Sequence, residues 1–263
     1  MKVAVEDFPP AAVVAGRTLI GASILIPIAI YRKKFGGAVL GFKYVAFYAL
    51  MEMIGPWILI TTAEQKINSG LAGLLVSTVP IFATIITSLR GDHSVWQLKR
   101  VFGIIVGFIG LILVVGIESL SGNSDPLSIA MVIVAAMGYA YAVIMVTSNL
   151  PLVDGIAING LAMAITTVFW APVAIAQWPS SISMGSALSL IALGVFSTAI
   201  AFILFFKVMA EIGPARSSLV TYLNTAIAVL LGVIILREPL TVGIIVGLPL
   251  VLVGSYLASK KTV

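Results

Sequence analysis

Cysteine is absent from the 263 residues, and histidine occurs once, as His93. Disulfides, thiol nucleophiles and thiolate metal sites are thereby excluded, as is any multi-histidine metal centre. Charge is scarce: Asp, Glu, Lys and Arg together make 10% of the chain, against 60% apolar residues. A soluble domain carries about 25% charged residues, so a soluble protein of this size could not clothe its surface. No Gly-x-x-x-x-Gly-Lys-Ser/Thr loop occurs, which removes ATP as a direct energy source. An enzyme working inside the membrane would need a nucleophile with its base, or a metal cluster. One loop histidine, scattered hydroxyls and Glu52 do not make either, and no cofactor is expected.

What the chain has in abundance is long apolar runs. A spanning helix needs about 20 apolar residues. Nine stretches qualify: 9–31, 42–60, 68–89, 100–117, 127–147, 154–176, 186–207, 213–236 and 240–259. Short breaker-rich connections such as Gly36-Gly37, Asn68-Ser69-Gly70 and Pro179-Ser180-Ser181 separate them. Strands of a membrane barrel would be alternating segments of about 10 residues; these runs are longer and do not alternate. The expected fold class is an all-α polytopic membrane protein with nine predicted transmembrane helices.

The net charge of +5 could point to nucleic acid, but its distribution points to membrane orientation. Counted on alternate sides of the nine spans, one side holds 11 Lys and Arg, from Arg32 to Lys261. The other side holds 3, namely Lys2, Lys66 and Arg237, and Arg17 lies within a span. The crowded side is expected to be cytoplasmic, and with it the C-terminus. No nucleic-acid partner is expected; the partners are the lipid bilayer and a small-molecule substrate.

The stretch from Ser69 to Gly116 has a second version near the C-terminus. A step of 145 lays Pro27 on Pro172, Pro80 on Thr225 and His93 on Glu238; a step of 144 lays Gly103 on Gly247 and Gly110 on Gly254. The string Gly-Ile-Ile-Val-Gly occurs at both 103–107 and 243–247, one helical turn out of that register. Five spans form the second half, residues 127–259, and four form the first, residues 1–120. The partner of span 127–147 would precede Met1. The expectation is a 5+5, ten-helix plan whose first helix is missing. An odd number of helices per half makes the repeat inverted, a transporter design with its site at the repeat interface near mid-membrane.

Four features carry a resemblance: Phe8-Pro9-Pro10 before a helix with Arg17 in its first half; Ser69-Gly70-Leu71-Ala72 leading to Val79-Pro80-Ile81-Phe82; Glu238-Pro239-Leu240 followed by Gly247 and Gly254; and the 5+5 plan itself. Together, in order, they resemble the EamA-type transporters of the drug/metabolite transporter superfamily, over nearly the whole chain. Where that family has an acidic residue closing the first-half motif, this chain has His93 beside Asp92. The resemblance implies a small-molecule carrier in a cytoplasmic (inner) membrane, commonly an exporter of amino acids or other metabolites. The alternatives are a nucleotide-sugar or sugar-phosphate exchanger, which would want more cavity cations than Arg17, and a non-transporting fragment. The resemblance leaves substrate and oligomeric state open.

Arg17 and Glu52 are the sharpest candidates. Arg17 lies 8 residues from the outer end of its run at Pro9, and Glu52 about 9 from the outer end near Thr61. At 1.5 Å per residue these are depths of about 12 and 13 Å, so the two can sit at one level on neighbouring helices. Either they line a pathway, Arg17 for a substrate carboxylate and Glu52 for an amine or a coupling proton, or they form a salt bridge between helices. Trp57, Tyr139, Tyr222 and Asn224 complete the candidate substrate site. Ser217, Thr221 and Asn224 share one helical face, as do Ser218, Tyr222 and Thr225 one position on. The bland reading of such hydroxyls is hydrogen bonding between helices, and of Trp57 an interfacial anchor. Tyr141, Asn159 and Trp170 are weaker candidates. Pro27, Pro80 and Pro172 are expected to kink helices, and Glu238-Pro239 to cap one.

Overall fold

The structure, a computed structural model, describes residues 3–91, 98–120, 125–212, 227, 229, 231–235, 237 and 241–259. Among them every regular element is helical. In chain order these are α1 (Pro10–Tyr31), α2 (Phe35–Leu40), α3 (Phe42–Ala49), a π turn (Leu50–Ile54), α4 (Gly55–Ala63), α5 (Ser69–Val76), α6 (Val79–Leu89), α7 (Leu98–Leu120) and α8 (Pro126–Asn149). They continue as α9 (Gly155–Ala176), α10 (Met184–Gly194), a second π turn (Val195–Ile200), α11 (Ala201–Ile212) and α12 (Val242–Ser259). Six helices or joined helices among the described residues are long and apolar enough to cross a membrane: Pro10–Tyr31, Phe42–Ala63, Ser69–Leu89, Pro126–Asn149, Gly155–Ala176 and Met184–Val208. Shorter apolar helices, Val101–Leu113 and Val242–Leu257, lie where two more spans are expected. The ninth, 213–236, falls mostly outside the described residues; the fold is a polytopic helical membrane protein.

Local chemistry sets the helix ends. Pro9 and Pro10 open α1, where a missing N–H costs nothing. Its far end is a Schellman closure: Lys33 N donates to Ile30 O at 2.8 Å and Lys34 N to Ala29 O at 3.0 Å. That closure puts Lys33 at φ 56°, where glycine is the usual occupant and another residue costs about 1–2 kcal/mol. The Asp154 carboxylate caps α9 by accepting from Ile156 N and Ala157 N. Asp125 does the same for α8 through Ser128 N and Oγ, and these bonds, the hydroxyl's first, hold its carboxyl below the ordinary carboxylate range. α10 starts on Ser183, which in turn donates from Oγ and N to Asp7 at 2.6 and 2.9 Å; the Asp7 carboxyl is lowered for the same reason.

The chain divides into two compact units. The first comprises Met1–Gln65 and Ala142–Ile212. Its backbone is the packing of α1 on α9. Thr18 meets Thr167 at 2.8 Å, a side chain at Gly21 would run into Met163, and one at Gly160 into Ile26. Residue numbers rise on one helix as they fall on the other, so the pair is antiparallel. Both bounds of these helices differ by 145, Pro10 to Gly155 and Tyr31 to Ala176, and the two π turns begin at Leu50 and Val195, again 145 apart. Both α1 and α9 run on through their prolines, Pro27 and Pro172.

The second unit comprises Lys66–Tyr141 and Gly213–Val263. Here α5 and α6 meet at a break just before Pro80. Ile81 N turns back to Thr78 O, which leaves the Ser77 carbonyl to accept from Ser255 Oγ of α12 at 2.7 Å. α7 and α12 pack antiparallel on their glycines: a Cβ on Gly254 would collide with the backbone of Gly107, and one on Gly110 would sit 2.9 Å from Val251 N. In lipid, where apolar faces gain little by meeting each other, such backbone approach is what holds helices together.

Gly254→Ala is therefore expected to force α7 and α12 apart and destabilise the protein by about 1–3 kcal/mol, the usual overpacking cost. Gly185→Ala, whose new methyl would have only the Ser183 hydroxyl within 4.0 Å, should be neutral. Melting temperatures of the two variants in one detergent check the difference.

Candidate functional site

Arg17 sits on the second turn of α1 and keeps only 8% of its surface exposed. Two donors of its guanidinium, Nε at 3.2 Å and Nη2 at 3.0 Å, converge on Thr198 Oγ1. Its Cζ lies 3.9 Å from the centroid of the Trp57 ring, which is itself 6% exposed. A guanidinium sheds water more readily than an ammonium and stacks on an aromatic face. Such stacking is worth about 2 kcal/mol or more when desolvated.

Both partners of Arg17 depend on the π turns. Thr198 lies within the second, and its hydroxyl donates in turn to Leu193 O, five residues back, at 2.8 Å. Trp57 follows the first, in which Gly55 N bonds Leu50 O across the same five-residue interval. Pro56 comes next and lacks an N–H, so the carbonyls of Met51 and Glu52 lose that donor. The following carbonyl but one, Ile54 O, accepts from Trp170 Nε1 of α9 at 3.1 Å. Tyr48 OH donates to Asn159 Oδ1 at 3.1 Å, tying α3 to α9 just before the turn. Turns of this type concentrate at functional sites.

Glu52 sits at the middle of the first π turn. Its Oε2 is out of contact with solvent and has no hydrogen-bond partner among the described residues. The salt bridge considered between Arg17 and Glu52 is not formed; among the described residues Lys34 pairs with Asp154 at 3.7 Å and Lys66 with Asp125 at 3.6 Å. The depth estimate counted regular helical rise. The π turn changes the angular register between residues 50 and 57, so the helix presents the Trp57 ring, and not the Glu52 carboxyl, to Arg17.

Of the candidate residues, Arg17, Glu52 and Trp57 thus fall within one unit, Arg17 and Trp57 in direct contact. Tyr139 is half-buried on α8, in the other unit. Tyr222 and Asn224 lie outside the described residues, as do Ser217, Ser218, Thr221, Thr225, His93, Glu238 and Pro239. Thr198 was not singled out from sequence. Its one signal is the pair Ser197-Thr198 in an otherwise apolar run.

A helical, lipid-facing chain with a charge buried inside a span defines a polytopic membrane protein. The family model of the EamA-like transporters matches it twice, over residues 1–116 and 126–260, and the chain belongs to that family. It is similar to the uncharacterised transporter YoaV of Bacillus subtilis, 28% identical over 98% of this chain and 89% of the relative. It is also similar to the uncharacterised inner membrane transporter YedA of Escherichia coli, 26% identical over 100% of this chain and 88% of that one. A crystal structure with a TM-score of 0.67 and 18% identity covers 95% of this chain and 88% of its own, and shares the fold. The chain is a membrane transporter by family.

Thr198→Val keeps the shape but removes the acceptor of two guanidinium donors. It is expected to lower stability by about 1.5–3 kcal/mol, the range for hydrogen bonds to charged groups, while Thr198→Ser should melt near wild type. Thermal unfolding in detergent distinguishes them. Equal melting of Thr198→Val and wild type would show that the contact contributes nothing.

Proposed function

We propose that the chain is a secondary transporter that exports a small metabolite, an amino acid or a similar amphipathic compound, by alternating access across the cytoplasmic membrane. The observation that carries this is Arg17: a charge deep in a span, stacked on Trp57, with the unpartnered Glu52 carboxyl oxygen one turn from that ring along the same helix. Ionisable groups at that depth cost about 2.5–3.5 kcal/mol even on lenient scales and mark substrate and proton paths. In this reading Arg17 and Trp57 receive the carboxylate and apolar part of the substrate. Glu52 receives its amine or a coupling proton, with Tyr139, Tyr222 and Asn224 as the further candidate residues.

The inverted 5+5 repeat belongs to the same reading. Helices equivalent by the 145-residue step, α1 and α9, pack antiparallel, as do α7 and α12 at a step of 144. Antiparallel pairing of equivalent helices is what a two-fold axis in the membrane plane produces. The orientation, with the C-terminus in the cytoplasm, rests on the Lys/Arg count. Contacts between connections support the grouping by side, though not which side is cytoplasmic: Lys34–Asp154, Lys66–Asp125 and Asp7–Ser183 each join two connections that the count places together.

Flux of an amino-acid and amphipathic-amine panel, measured in membrane vesicles of both orientations, tests the proposal. Wild type is expected to move at least one compound outward. Arg17→Gln and Glu52→Gln should reduce that flux by at least about tenfold, the equivalent of one charge-assisted hydrogen bond. Glu52→Gln should also flatten its pH dependence, because an amide carries no proton. Wild-type flux and pH profile in both variants would remove the pair from the pathway.

A further inference from the structure

At the end of the molecule that carries Arg32, Lys33 and Lys34, a pocket of about 300 Å³ opens between the α1–α2 turn and the α8–α9 turn. Lys33, Lys34, Gly36, Gly37, Leu152, Val153 and Asp154 line it. Glycine makes the space: a Cβ on Gly37 would touch Val153 at 3.4 Å, drawing α2 onto the α8–α9 turn, while Gly36 has nothing within 4 Å and leaves the pocket open. Asp154 is the one acid in the lining. Its oxygens are committed to Ile156 N, Ala157 N and Lys34 Nζ, so it steadies Lys34 without closing the pocket to anions.

Two independent features point to a ligand. The first is backbone strain at Lys33. The Schellman closure there suits glycine, yet the chain keeps a lysine at φ 56° and places its glycines three and four residues later. A strained residue retained at a pocket mouth signals use of its side chain. The second is the rim. Leu152, in the lining, is 97% exposed; nearby in the chain, Tyr31 closes α1 at 89% exposed and Leu40 closes the short α2 at 92%. A freely soluble anion has no need of an apolar rim, whereas acyl chains do. Basic pockets at the membrane surface take lipid headgroups by this combination.

We propose that this pocket holds the phosphate of an anionic phospholipid headgroup, with Lys33 and Lys34 as its cationic donors, Arg32 adding to the local positive potential, and Tyr31, Leu40 and Leu152 against the acyl chains. The site is separate from Arg17 and holds whether or not the transport reading does.

The test titrates phosphatidylglycerol into the full chain held in phosphatidylcholine–detergent micelles and follows the melting temperature. Phosphatidylglycerol is expected to raise it, and phosphatidylcholine alone or inorganic phosphate is not. The concentration for half the shift should rise about fivefold in Lys33→Gly and about 25-fold with Lys34→Gln added, from the usual contribution of each basic residue near an anionic surface. In phosphatidylcholine, Lys33→Gly should melt at or above wild type, because glycine relieves the strained φ; weakened binding in a fold of equal stability cannot be ascribed to misfolding. Three results would overturn the proposal: no shift of wild type, an unchanged titration in Lys33→Gly, or a shift reproduced by inorganic phosphate.

Discussion

A guanidinium inside a membrane must be answered by neighbouring groups, because a lone charge at that depth is costly. Arg17 imposes that demand here, and much of the first unit is arranged around it. The Trp57 ring and the Thr198 hydroxyl both reach it because a π turn lies just before or around each. Trp170 and Asn159 of α9 then tie down the segment that carries Trp57, one through the Ile54 carbonyl and one through Tyr48. Removing the charge would leave these polar contacts without a purpose. Keeping the charge without them would leave it uncompensated, which is the costlier case.

The same demand explains why Glu52 is conspicuous. Its carboxyl oxygen has no donor within a protein that otherwise pairs Arg17, Thr18, Tyr48 and Asn159. Structural ion pairing would have joined Glu52 to Arg17 at similar depth. In the proposed transport reading, that absence leaves an acceptor for a substrate amine or a proton.

Much of the helical plan was legible from apolar run length alone, because lipid leaves the backbone no choice but helix. The run expected over 154–176 became Gly155–Ala176, and that over 9–31 became Pro10–Tyr31. The 145-residue step was legible in Pro27 and Pro172, which fall at one place in two helices of equal length. What could not be read was register across residues 50–57 and 195–200. A π turn has no compositional signature in Leu-Met-Glu-Met-Ile or Val-Phe-Ser-Thr-Ala-Ile, so the contacts of Trp57 and Thr198 with Arg17 could not be read from the sequence. Arg17 stood out because charge in an apolar run is rare, and Trp57 was a candidate beside it; Thr198 was missed because hydroxyls in such runs are common. The polar stripe around Tyr222 and Asn224 lies outside the described residues.

The central claim is that Arg17 and Thr198 border a path open to water from one side at a time. The chain has no cysteine, so Thr198→Cys would carry its sole thiol. Labelling of that thiol by a membrane-impermeant maleimide, in right-side-out and inverted vesicles, tests the claim most directly. A path predicts labelling, with the dominant side changing when a transported compound is added. A folded Thr198→Cys protein that stays unlabelled from both sides would show Arg17 sealed within a structural contact, and would contradict the account.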